Sequence, residues 1–188
     1  MILDVGFNLI SKIIFFMAKP KLLILSDLFG GENPEWIKRY KDSLESKFEI
    51  QYYDVLELAN ITASDSIEID IHNQFINGGI DKAVDNLLAL EKGKVAVLGF
   101  SIGGTIAWKA ALRGLKVSYL IAVSSTRLRF ETEIPNCKIK LYFGDKDLNA
   151  PNLQWFIDLK VSSHFFKNQD HQLYLERKNI TLICNNFL

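Results

Sequence analysis

Six short apolar runs rich in β-branched residues punctuate the chain, at 21–26, 48–53, 94–98, 118–123, 139–143 and 161–166. Several are apolar at successive positions rather than alternating, the pattern of strands covered on both faces. Between them, residues 34–46, 80–90, 102–112 and 152–159 space their apolar side chains at helical intervals. Asn33-Pro34-Glu35 reads as an N-cap followed by proline at the first helical position, and Gly114 suits the stop of the third helix. Strand alternating with helix implies βαβ units, hence a parallel sheet with helices on both sides. The expected fold is a three-layer, doubly wound α/β domain of about six parallel strands, in order 2-1-3-4-5-6. That order reverses between strands 1 and 3, and a crevice opens there at their carboxyl ends.

Two stretches stand apart from this scheme. Residues 56–79 mix acidic side chains with isoleucines and end in Asn77-Gly78-Gly79. They are long for a connection in a compact domain, so this stretch is expected to be partly ordered or functional. Residues 1–16 are strongly apolar but interrupted by Asp4, Asn8 and Lys12. The longest clean apolar run, 13–18, is shorter than a signal-peptide core and far shorter than a membrane span. Residues 1–16 are expected to lie against the domain as an extra helix or strand, or to be upstream sequence that packs poorly, with attachment to a membrane surface as the lesser reading.

Composition narrows the function classes. A chain of 188 residues, 48% apolar, fits one domain with a real core. Lys plus Arg and Asp plus Glu each total 22, and no basic tract is present, so little is available to hold a nucleic-acid backbone. Cys137 and Cys184 are too few for a disulfide framework and lack the paired spacing of a zinc site. They read as ordinary thiols of a reducing, cytoplasmic compartment. Nothing in the pattern bears on oligomeric state.

The strongest chemical signal is Gly99-Phe100-Ser101-Ile102-Gly103-Gly104, set directly between the third strand and the third helix. A strand that turns sharply into a helix forces the apical serine into strained backbone geometry, and glycines two before and two after remove the collisions. The helix then points its free N–H groups and positive dipole end at the serine hydroxyl. Gly-x-Ser-x-Gly alone recurs by chance in roughly one chain in twenty of this length; its placement makes it informative.

A nucleophilic serine needs an acid and a histidine later in the chain. His72 precedes the serine and reads as a solvated loop residue, while His164 falls inside the sixth strand as a partly buried strand histidine. His171 follows that strand, at the sheet edge where ligands collect. The fifth strand runs into Gly144-Asp145-Lys146-Asp147, offering two acids. Asp147 has room to turn back toward the histidine loop and is preferred; Asp145 can cap the turn.

These three motifs resemble the nucleophile, acid and histidine motifs of α/β hydrolases. The end of the first strand, Ser26-Asp27-Leu28-Phe29-Gly30-Gly31, is similar to the acidic, aliphatic, Phe-Gly sequence of the dienelactone hydrolase branch. The resemblance spans roughly residues 20–175. It implies that the backbone N–H of Leu28 joins that of Ile102 in an oxyanion hole. That branch carries cysteine at the elbow where this chain has Ser101, so its lactone specificity does not transfer. The short interval from Ser101 to Asp147 leaves no room for the helical lid of many relatives, and the usual opening strands are missing unless residues 1–16 supply one.

The expected activity is hydrolysis of a small-molecule carboxylic ester or thioester by Ser101, His171 and Asp147, with no metal or organic cofactor. Leu28, Ile102 and the substrate-binding candidates Phe29 and Phe100 suggest apolar walls suited to short or medium acyl chains. The rival is a catalytically inactive binding or interaction protein on the same fold. A nucleotide-binding domain is weaker, because neither a dinucleotide fingerprint nor a phosphate-loop lysine follows the first strand.

Overall fold

The computed structural model describes residues 19–32, 34–62 and 67–187. The expectations for residues 1–16, whether packed element, opening strand or membrane anchor, lie outside these residues, as do positions 63–66 of the 56–79 connection.

The strands are β1 (Lys21–Leu25), β2 (Glu49–Tyr53), β3 (Val95–Phe100), β4 (Val117–Val123), β5 (Lys138–Gly144) and β6 (Ser163–Phe166). They pair in parallel as one sheet ordered β2-β1-β3-β4-β5-β6, as the sequence pattern implies. Continuous apolar sequence matches position: central β3 is buried at every residue, whereas edge strands β2 and β6 are only partly covered.

The helices are α1 (Glu35–Leu44), α2 (Val55–Ala59), α3 (Glu68–Gln74), α4 (Ile80–Leu90), α5 (Ile102–Leu112), α6 (Leu153–Leu159) and α7 (Arg177–Asn185). One sheet face, through Leu23, Val97, Ala122 and Phe143, packs under α2, α4, α5 and α6. The other, through Leu22, Leu98, Phe100 and Val123, packs under α1 and α7. Alternate residues of each strand therefore serve opposite cores. A Schellman stop ends α5, with Leu115 N–H on Ala110 O (2.9 Å), Gly114 N–H on Ala111 O (3.3 Å) and Gly114 at φ +109°.

One expectation needs correction, and the structure adds elements that the pattern did not resolve. Helix α1 begins at Glu35, with Pro34 as the N-cap residue, so proline stands one place earlier relative to the helix than expected. The 56–79 connection is largely helical: α2, then α3, which runs through a wider turn at Phe75–Gly79 into α4. Gly78 at φ +114° absorbs the kink between α3 and α4. Helix α7 also lies past the last element read from the sequence. Between β4 and β5 only a short 3₁₀ turn, Thr126–Phe130, intervenes.

Candidate active site

Ser101 sits between β3 and α5 at φ 48°, ψ −117°, a backbone conformation costly for any residue with a Cβ. The flanking glycines make this turn possible. A Cβ on Gly99 would lie 2.5 Å from Gly104 Cα, and one on Gly103 would lie 2.3 Å from Ser26 O. The second contact presses the start of α5 against the end of β1, one residue before the Asp27–Leu28 loop.

Ser101 Oγ lies 3.0 Å from His171 Nε2, and His171 Nδ1 lies 2.7 Å from Asp147 Oδ2. An ionised carboxylate can only accept, so Nδ1 carries the ring proton and Nε2 is left to accept from the serine hydroxyl. The Asp147 side chain is 3% exposed, the imidazole 38%. Of the two acids offered by the β5 loop, Asp147 reaches the histidine; Asp145 is exposed and takes no part in this contact.

Local structure explains the convergence. Gly144 lets the histidine loop pass close by, since a Cβ there would lie 2.1 Å from Gln169 O. Asp145 N–H donates to Phe166 O (3.1 Å) and Lys146 N–H to Gln169 O (2.9 Å), stitching the acid loop to the histidine loop. Asp147 Oδ1 accepts from Asn149 N–H (3.1 Å), fixing the carboxylate. Asn179 on α7 donates to Leu173 O (2.8 Å), so the histidine loop also leans on a helix that the sequence reading omitted.

No protein-family model matches this chain, and no curated protein sequence matches it. Solved structures do. A predicted CIB-like hydrolase from Thermoplasma acidophilum shares 14% identity at a TM-score of 0.67, over 93% of this chain and 88% of its own. A dienelactone hydrolase from Anabaena variabilis shares 18% at 0.65, over 92% and 85%. The mouse α/β hydrolase domain-containing protein 10 shares 15% at 0.61, over 89% and 88%. The chain has the α/β-hydrolase fold. At such identities the likeness is one of fold; in this chain that fold is a six-stranded parallel sheet with no cap domain among the described residues.

Within this hydrolase fold, Ser101 and His171 open onto a cleft of about 350 Å³. Leu28, Phe29 and Ile102 line it together with Asp27, Asp147 and Tyr174. Among the described residues the N–H of Leu28 meets no hydrogen-bond acceptor. Ile102 is the first residue of α5, so its N–H has no intrahelical partner.

Phe100 does not line the cleft. It is fully buried on the opposite sheet face, 4.7 Å from the Tyr40 ring and 4.8 Å from the Trp36 ring, centroid to centroid. Alternation along β3 puts Phe100 in the same core as Ala96 and Leu98, so a large residue beside the serine supports the elbow from behind.

The far wall is polar instead of apolar. Glu68 and His72, one helical turn apart on α3, face the cleft with Arg127, Asn149 and Gln172. His72 is thus a cleft residue on a helix rather than a solvated loop residue. Burial, and next the charge of Arg127, lower its pKa below the ordinary histidine value. His164 does lie on β6, but is exposed, its ring 4.8 Å from that of Phe166.

Burial raises the Asp27 carboxyl above the ordinary aspartate value, against hydrogen bonds from Tyr174 and the backbone that lower it. The Tyr174 hydroxyl is likewise raised, first by burial and then by the charge of Asp27. In the sequence Asp27 stands out only as part of the motif after the first strand, and nothing there marks Tyr174. Among the described residues no group of three or more His, Cys, Asp or Glu side chains could hold a metal ion. No helix there is long and apolar enough to cross a membrane.

Proposed function

We propose that this protein is a serine hydrolase that cleaves a small carboxylic ester or thioester through an acyl-enzyme. One observation carries the reading: His171 lies within hydrogen-bond reach of Ser101 on one ring nitrogen and of Asp147 on the other. His171 takes the hydroxyl proton as Ser101 Oγ attacks the carbonyl carbon. Asp147 holds the ring in the required tautomer and stabilises the imidazolium. The N–H groups of Leu28 and Ile102 receive the charge developing on the carbonyl oxygen; one such donor is worth about 2.7–4 kcal/mol of transition-state stabilisation. His171 returns the proton to the leaving alkoxide or thiolate, and water, deprotonated by the same ring, releases the acid.

A cleft of about 350 Å³ lies at the small end of ligand sites. Together with its polar far wall, that favours a compact acyl group over a long chain. The two free thiols, Cys137 and Cys184, support a reducing, cytoplasmic setting.

Ser101→Ala is the test. It should remove p-nitrophenyl acetate turnover while leaving the melting temperature nearly unchanged. A variant as active as wild type would exclude Ser101 as nucleophile.

A further inference from the structure

Oxyanion stabilisation requires that the Leu28 N–H and the base stay registered, yet they sit on loops far apart in sequence. One side-chain bond joins those loops. The Tyr174 hydroxyl, three residues past His171, donates to Asp27 Oδ2 at 2.9 Å. Asp27 Oδ1 accepts from Phe29 N–H (3.2 Å) and its carbonyl from Gly30 N–H (3.2 Å), so this residue holds the turn that presents Leu28. Tyr174 is itself fixed: its carbonyl accepts from Tyr40 O–H (3.0 Å), and its ring packs 5.4 Å from Phe100 and 6.4 Å from the His171 ring, centroid to centroid. Both residues are buried, 6% and 3% exposed, and both border the cleft.

An apolar core would be the cheaper way to join two loops, because a buried carboxylate carries a desolvation cost. Retaining a carboxylate here makes sense if the bond sets geometry, since charge-assisted hydrogen bonds are shorter and more directional than packing contacts. Resting on the serine-hydrolase reading above, we infer that Asp27 and Tyr174 form a positioning pair that registers the oxyanion donor Leu28 against His171. Neither transfers a proton in the reaction. Their effect is confined to the state in which the oxyanion exists, so it belongs in kcat rather than in substrate binding.

Tyr174→Phe removes only the hydroxyl and keeps the ring, its aromatic contacts and its carbonyl. It should lower kcat roughly tenfold with KM unchanged within twofold, because small misplacements at a reacting centre cost one to two orders of magnitude. Affinity for an acetyl-type trifluoromethyl ketone, whose adduct carries the oxyanion, should fall by the same factor. Asp27→Asn is the rescue: its amide can donate to the tyrosine oxygen while its carbonyl keeps the Phe29 N–H, so at least a third of kcat should remain. Should Tyr174→Phe fold poorly, Asp27→Ala cuts the bond from the other side together with the Phe29 N–H contact and should lower kcat at least as far, again with KM unchanged within twofold.

A merely structural role would lower the melting temperature while leaving ketone affinity per folded molecule intact, and that result overturns the inference. So does wild-type kcat in Tyr174→Phe, and in that case fluorophosphonate labelling of Ser101 in the wild type would leave the catalytic reading standing. A wild type that resists the probe removes both.

Discussion

Gly103→Ala sets helix propensity against close packing at the elbow. In an exposed helix interior, alanine would be favoured over glycine by about 1 kcal/mol. Here the added Cβ would lie 2.3 Å from Ser26 O and 2.9 Å from Leu25 O, about 1 Å inside ordinary contact for the nearer atom. Neither carbonyl can retreat easily, because β1 is paired on both sides, with β2 and β3. The start of α5 must therefore move away from β1, which separates the Ile102 and Leu28 N–H groups.

Overpacking costs about 1–3 kcal/mol, and the propensity gain offsets about 1, leaving a net loss of up to about 2. For a chain of this size that is at most roughly 8 °C in melting temperature. A displacement approaching 1 Å at the reacting centre costs on the order of 100-fold in rate, equivalent to about 2.7 kcal/mol. The signature is thus a loss of activity larger than the loss of stability. Initial rates on p-nitrophenyl acetate, read beside a urea unfolding curve, measure both. A variant within threefold of wild-type kcat/KM would refute the claim that this glycine sets the distance between the two donors.

Further variants probe the site's charges. Asp147→Asn should lower kcat by about 10⁴ by disfavouring the productive tautomer, with Asp145→Asn near wild type; equal losses on an ester assay would mean that the acid is misassigned. Asp27 has a pKa above its unfolded value, so its contribution to stability is fully present below the unfolded pKa and is lost as pH rises through the folded one. Asp27→Asn removes that loss, so its melting temperature relative to wild type should rise from pH 4 toward neutrality. Parallel melting curves across that range would contradict the burial of an ionised carboxyl.

Much of the fold was legible because β1, β3 and β4 have to be apolar on both faces, which leaves continuous runs in the sequence. The elbow was legible for a related reason, since backbone atoms fill the space where side chains on Gly99 and Gly103 would go. The loops that carry Asp147 and His171 were legible from strand order, as loops after adjacent strands β5 and β6 share one sheet edge, whereas the preference for Asp147 over Asp145 rested on its place farther along the loop.

Helix α3 was obscured because Ile71 is buried while Ile67, Ile69 and Ile76 are exposed, so its isoleucines do not trace one face. With α3 unread, Glu68 and His72 could not be placed in the cleft, and the expectation of an apolar pocket overlooked its polar wall. Phe100 was assigned to the pocket by adjacency to Ser101, where alternation sends it to the other core. Helix α7 escaped because its buried positions, Asn179, Ile180, Ile183 and Cys184, include a polar residue whose partner, the Leu173 carbonyl, is visible only in three dimensions.

If His171 and Asp147 activate the Ser101 hydroxyl as proposed, that oxygen is the group an electrophilic probe modifies. Intact-mass spectrometry of the protein treated with a fluorophosphonate, followed by peptide mapping, tests it most directly. One phosphonyl adduct per chain is expected, on Ser101, with a sharply slowed reaction in His171→Ala. A folded protein that gains no adduct, or gains it on another residue, would contradict it.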